Sequence, residues 1–185
     1  GGLTALGHNA LMAHTTGSDC VGVGAFSLDA NTSGANNVAV GNESLGANTT
    51  GAANTSVGAF SLDASINGSY NTAVGKSALT TATTGSWNTG LGKDALNALT
   101  TGTYNIGVGV NAGGNINTGT YNVIMGTYAL DTNTTASYNV AIGASALTAS
   151  TFGTQNVAIG HEAGSWISTG DNNIVIGYKA MLKSS

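Results

Sequence analysis

The sequence predicts an all-β fold, a β-solenoid of the parallel β-roll or β-helix kind, with about eleven coils of seventeen residues. Three observations predict it. A nine-residue phrase recurs in register, as in NVAVGNESL from Asn37, NTAVGKSAL from Asn71 and NVAIGHEAG from Asn156. Its central glycine falls at Gly7, Gly24, Gly41, Gly58, Gly75, Gly92, Gly109, Gly126, Gly143, Gly160 and Gly177, always seventeen apart. The residues before that glycine alternate β-branched with small, which is the period of a strand. Residues 1–185 therefore read as a single repeat domain.

Numbering each coil from this glycine as position 0 justifies the elements in order. Position −3 is always Thr, Val or Ile, and −1 is always a larger apolar residue. Position −2 between them is Ala, Gly or Ser, except at Ile124 and Val175. Side chains at −3 and −1 share one face of a strand and −2 faces the other way. A second short strand is expected around +3, always Ala or Ser, and +4, leucine in eight of eleven coils. Gly113, Gly164 and Met181 replace the leucine. A polar stretch then closes on a glycine at +10, with Ala136 the exception.

Asparagine at −4 precedes the strand in nine coils: Asn37, Asn54, Asn71, Asn88, Asn105, Asn122, Asn139, Asn156 and Asn173. Stacked amides of this kind bond to one another in cross-β arrays, so these residues are expected to form a structural ladder. Asn and Gly tolerate positive φ, so the −4 and +10 columns are also expected to be turns. Cys20, the one cysteine, occupies the asparagine column of its coil and reads as a substituted structural position. Helix is excluded as the main element, because two turn columns per seventeen residues leave no room for one of ordinary length.

Composition narrows the function. Twelve residues are charged, proline and arginine are absent, and twenty-nine are glycine. A net charge of −4 without a basic patch argues against nucleic acid, and no apolar run approaches a membrane span. Positions −3, −1 and +4 supply only about three sizeable apolar side chains per coil. Several copies are therefore expected to pack together, three-fold symmetry being the favoured arrangement. The small-residue columns at −2 and +3 are the expected places of close approach.

The phrases NVAIG, NVAVG and NTAVG, with a small residue three positions on, resemble the head repeats of YadA-like trimeric autotransporter adhesins. They are similar as well to tandem repeats in phage tail-fibre shafts. The resemblance implies a homotrimeric fibre at an extracellular surface or on a virion, of which this chain is a segment. It also implies attachment to a host surface or polysaccharide. YadA-type heads repeat at about fourteen residues, whereas this unit is seventeen.

No column carries an evident catalytic chemistry, metal site or cofactor. His8 and His161 share column +1 but lie nine coils apart, and His14 has no ligand set at zinc spacing. Asp29, Asp63 and Asp131 share column +5 at intervals of two coils or more, too wide for an acid–base pair.

One column reads as recognition. Position −5 is Tyr70, Trp87, Tyr104, Tyr121 and Tyr138 in five successive coils, and mostly polar outside them. This predicts an exposed aromatic stripe, suited to sugar rings or else bracing the turns. The alternative is ice binding through threonine pairs at Thr15–Thr16, Thr49–Thr50, Thr83–Thr84, Thr100–Thr101 and Thr134–Thr135. Ile66, Asn67, Asn117 and Phe152 interrupt those rows.

Overall fold

The computed structural model describes residues 1–150 and 153–181. Among them, eleven strands form one parallel sheet in chain order. They are β1 (Leu3–Leu6), β2 (Cys20–Val23), β3 (Val38–Val40), β4 (Thr55–Val57), β5 (Thr72–Val74), β6 (Thr89–Leu91), β7 (Ile106–Val108), β8 (Val123–Met125), β9 (Val140–Ile142), β10 (Val157–Ile159) and β11 (Ile174–Ile176). Each residue pairs with the one seventeen further on, as Thr72 does with Thr89 and Thr89 with Ile106. The chain is a β-solenoid of about ten turns, with one strand per coil.

The second strand expected around +3 and +4 is absent, for a backbone reason. Residues at +2 and +4 have positive φ, as at Phe26 (57°) and Leu28 (50°), which an extended strand excludes. That segment is a run of turns instead. Backbone bonds close them from +3 to 0 and from +7 to +4, as in Ser27 N to Gly24 O (3.4 Å) and Asn31 N to Leu28 O (3.1 Å). Other amides reach neighbouring coils, as Leu28 N does to Ser44 O (3.1 Å), so the turn side is also bonded coil to coil.

The two faces of the strand are the reverse of a simple apolar-in reading. Position −2 points inward and is fully buried in Ala39, Ser56, Ala73, Ile124, Ala141 and Ala158. Positions −3 and −1 are half-buried or exposed, so the β-branched residues form the outer surface. The small residues at −2 and +3 therefore line the coil's own interior, and are not where another copy approaches. The interior is narrow because leucine at +4 fills it. A methyl placed on Gly90 would lie 3.2 Å from Leu79 Cγ, and one on Gly107 would lie 2.7 Å from Leu96 Cγ.

This shared space accounts for the paired exceptions in the two columns. Where +4 is Gly113, the −2 residue of the next coil is Ile124, and where it is Gly164, that residue is Val175. A Cβ on Gly113 would come within 2.8 Å of Ile124 Cδ1. In the space shared by +4 and the −2 position of the next coil, one large side chain is supplied from either column, and the +7 column adds a second in places, as at Leu99 and Ile116.

The asparagine column is interior, and Asn37 to Asn156 are buried. Each Oδ1 from Asn37 to Asn156 accepts the backbone N–H of the next asparagine at 2.9–3.2 Å. Each Nδ2 donates to the carbonyl fourteen residues on, that of the +10 column, at 2.7–3.0 Å. The asparagines are not at positive φ, and neither are the +10 glycines. Amide chemistry selects the first. Close approach selects the second, since a Cβ on Gly68 would lie 2.5 Å from Gly85 O. Cys20 keeps only a weaker version, its Sγ 3.3 Å from Gly34 O.

The shared interior layer is testable by exchange. Ile124→Ala should lower stability by about 2–5 kcal/mol through the cavity it leaves. Gly113→Leu alone should also destabilise, by collision with Ile124. Gly113→Leu combined with Ile124→Ala should melt close to the parent in thermal unfolding followed by circular dichroism. A double variant no more stable than Ile124→Ala alone would show that the two columns do not share one space.

Candidate functional site

Three outward features follow from this coil: the strand face, the threonine columns and the aromatic column. The strand face carries β-branched and larger apolar residues at −3 and −1 and no charged residue in any coil. Leu91, Ile106 and Met125 are exposed to 46%, 42% and 41%. An apolar surface continuous over eleven coils is far more than the scattered exposed side chains of an ordinary monomer.

The threonine pairs divide between two roles. Those at +8 donate Oγ1 to the +8 carbonyl of the next coil, from Thr15 to Thr32 O (2.7 Å) through Thr100 to Asn117 O (3.3 Å). Their hydroxyl protons serve the backbone. The partners at +9, Thr16, Thr50, Thr84, Thr101 and Thr135, are exposed. Phe152 lies outside the described residues.

Position −5 is separated from −3 by the buried asparagine, so its side chain emerges beside the strand face. Tyr70, Trp87, Tyr104, Tyr121 and Tyr138 are all exposed. Their rings form one continuous stack, with successive centroids 5.4, 5.2, 4.8 and 5.2 Å apart and planes within 5–9° of parallel. The coil-to-coil step sets this spacing, because in-register residues of a parallel sheet repeat at about 4.8 Å. Each interior ring has both faces covered by its neighbours. Edges and polar tips, rather than flat faces, meet the solvent.

All five aromatics are in the left-handed region, at φ between 57° and 60°. That conformation suits Asn and Asp, which occupy the column at Asp19, Asn36 and Asn172, and is unusual for a bulky residue. Sequence reasoning finds the column by its residue types, but their backbone conformation has no comparable signal.

The histidines are dispersed. His8 packs edge-on against Phe26 at 5.3 Å. His14 Nε2 lies 2.7 Å from Gly17 O, and His161 stacks on Tyr178 at 5.6 Å. Among the described residues no group of three or more His, Cys, Asp or Glu is arranged to hold a metal. No described helix is long and apolar enough to cross a membrane.

One carboxylate grouping escaped the column-by-column reading. Asp29 and Asp63 at +5 flank Gly46, and Glu43 at +2 faces the same recess. Without a side chain at Gly46, the two aspartates approach the same point from the coils on either side. Burial raises the Asp63 pKa, and the negative charges of Glu43 and Asp29 raise it further.

The folded chain thus holds a proton on Asp63 more tightly than the unfolded chain does. Between the two pKa values the folded state binds more protons, so stability falls as pH rises through that window. Below the unfolded value this destabilisation is absent. Asp63→Asn should raise the melting temperature at neutral pH by on the order of 1–2 °C and flatten its acid-side pH dependence. A melting temperature unchanged at pH 7 and still rising on acidification would place the effect elsewhere.

No family model, curated protein or solved structure matches the chain.

Proposed function

We propose that this chain is a segment of a structural and adhesive fibre, assembling with copies of itself, three in the favoured arrangement, and presenting a surface for host or glycan attachment. The outward strand face carries this reading. It is uncharged along the whole described solenoid and apolar at −1 in every coil, and burial against other copies removes it from water. The repeat phrases that resemble trimeric adhesin heads and tail-fibre shafts point the same way, to an extracellular surface or a virion. A stiff shaft with no proline and with turns bonded from coil to coil suits that setting.

Ice binding is the weaker reading. It needs a two-dimensional array of free hydroxyls, and here the +8 threonines bond to carbonyls while +9 supplies a single column. Thermal hysteresis of the purified chain tests it directly.

Assembly is read by light scattering on a size-exclusion column. The expected mass is three times the 18.1 kDa of one chain. Met125→Lys places a charge on the outer face without entering the interior. It should give the mass of one chain with the solenoid's circular dichroism spectrum intact. A parent chain already monomeric at micromolar concentration would overturn self-assembly through this face.

A further inference from the structure

We propose that the aromatic stack is a docking line for an extended, uncharged, equatorially linked polysaccharide lying parallel to the solenoid axis, one sugar to a coil. The inference rests on the adhesive reading above and names the ligand class and its orientation. It departs from the usual picture of sugars lying flat on aromatic rings, because the faces of the interior rings are covered by one another.

Four observations support it. First, five aromatics hold a left-handed conformation that Asn or Asp adopts more readily, and Asn or Asp stands there in three other coils. Every coil from Asp19 to Asn172 holds −5 in this conformation, Ala53 and Gln155 included, so the fold imposes it; what is particular to five successive coils is a bulky, exposed ring placed there that adds nothing to the core. Ring stacking offsets part of the strain.

Second, the exposed parts of the stack are ring edges and polar tips. Ring edges are electropositive, and the phenol and indole groups form hydrogen bonds, so both favour oxygen atoms. A ligand dense in hydroxyl and ether oxygens fits this better than a hydrocarbon. Third, the stack lies between a hydroxyl column at −6, including Ser86 and Thr103, and the methyl-bearing column at −3, including Ile106 and Val123. From −6 to 0 across these five coils there is no charged residue, so an ionic ligand finds no counter-charge. Sugars present oxygen-rich rims and apolar C–H faces, matching the two flanks.

Fourth, the steps agree. Successive sugars of an extended β-1,4-linked chain advance by nearly the distance between successive rings, 4.8–5.4 Å. Alternate sugars turn over, but both of their rims carry oxygen. An α-1,4-linked chain coils and falls out of step within a few units. Five rings therefore match about five sugars over roughly 20 Å.

The test titrates the intact chain with β-1,4-linked glucose oligomers from disaccharide to hexasaccharide, read by calorimetry, with α-1,4-linked glucose oligomers in parallel. Affinity should rise with length up to the pentasaccharide and then level, and the α-linked series should bind more weakly at every length. Tyr104→Asn breaks the line at its centre while placing a residue suited to positive φ there. It should weaken pentasaccharide binding about tenfold, with melting temperature and solution mass unchanged or the former raised.

Equal affinity for both linkages, no dependence on length, or no binding of the β-linked series would overturn the inference. So would a Tyr104→Asn variant that changes solution mass or melts earlier, since the stack would then be a brace or a subunit contact. Failure of the fibre reading looks different. It gives a monomer by light scattering with length-dependent glycan binding intact.

Discussion

The hydrogen-bonded step from one coil to the next is the constraint from which the rest of the structure follows. Each strand residue from β2 onward sits above the one seventeen before it, and the spacing between them is that of paired parallel strands. A coil of seventeen residues encloses a slender interior, in which +4 and the −2 position of the next coil share room for one leucine-sized side chain. That limit turns the β-branched residues outward, makes −2 small, and pairs Gly113 with Ile124. It also fixes position 0 as glycine. There φ is 126–140°, and a Cβ at Gly58 would lie 2.5 Å from the carbonyl oxygen of Gly75.

What the sequence displays plainly is whatever is linear in it. The period, the strand before each glycine and the stacking of like residues are visible because coils neither gain nor lose a residue. The direction a side chain faces is less visible. Alternation at −3, −2 and −1 marks a strand without saying which side is inside, and β-branched residues suit either. The signal that decides it is present but indirect: each glycine in the +4 column coincides with a break in the −2 column of the next coil. Both exceptions, Ile124 and Val175, are thereby explained.

Residue type was a poor guide to backbone conformation for a physical reason. Positive φ falls at +2, +4 and −5, on residues such as Glu43, Leu45 and Tyr70, which rarely adopt it. An αL residue costs about 1–2 kcal/mol, and burying a leucine returns about as much, so +4 is held there by its surroundings rather than by preference. The aromatic stripe was legible as a column of exposed rings. That its members cover one another's faces depends on the coil step, which only the folded chain shows. The grouping of Glu43 with Asp29 and Asp63 was hidden because it joins two columns across a turn.

The leucine-or-isoleucine layer also bears on how such a chain lengthens and shortens over generations. Bonds and contacts reach only the coils on either side, so unequal crossing-over that adds or removes whole multiples of seventeen residues leaves the columns in register. The joints are not equivalent, however. A breakpoint between Gly113 and Ile124, or between Gly164 and Val175, separates two halves of one layer and brings a glycine against an alanine or a leucine against an isoleucine. A module exchanged without disturbing the interior would therefore run from the turn of one coil into the strand of the next, with its seams outside those two pairs.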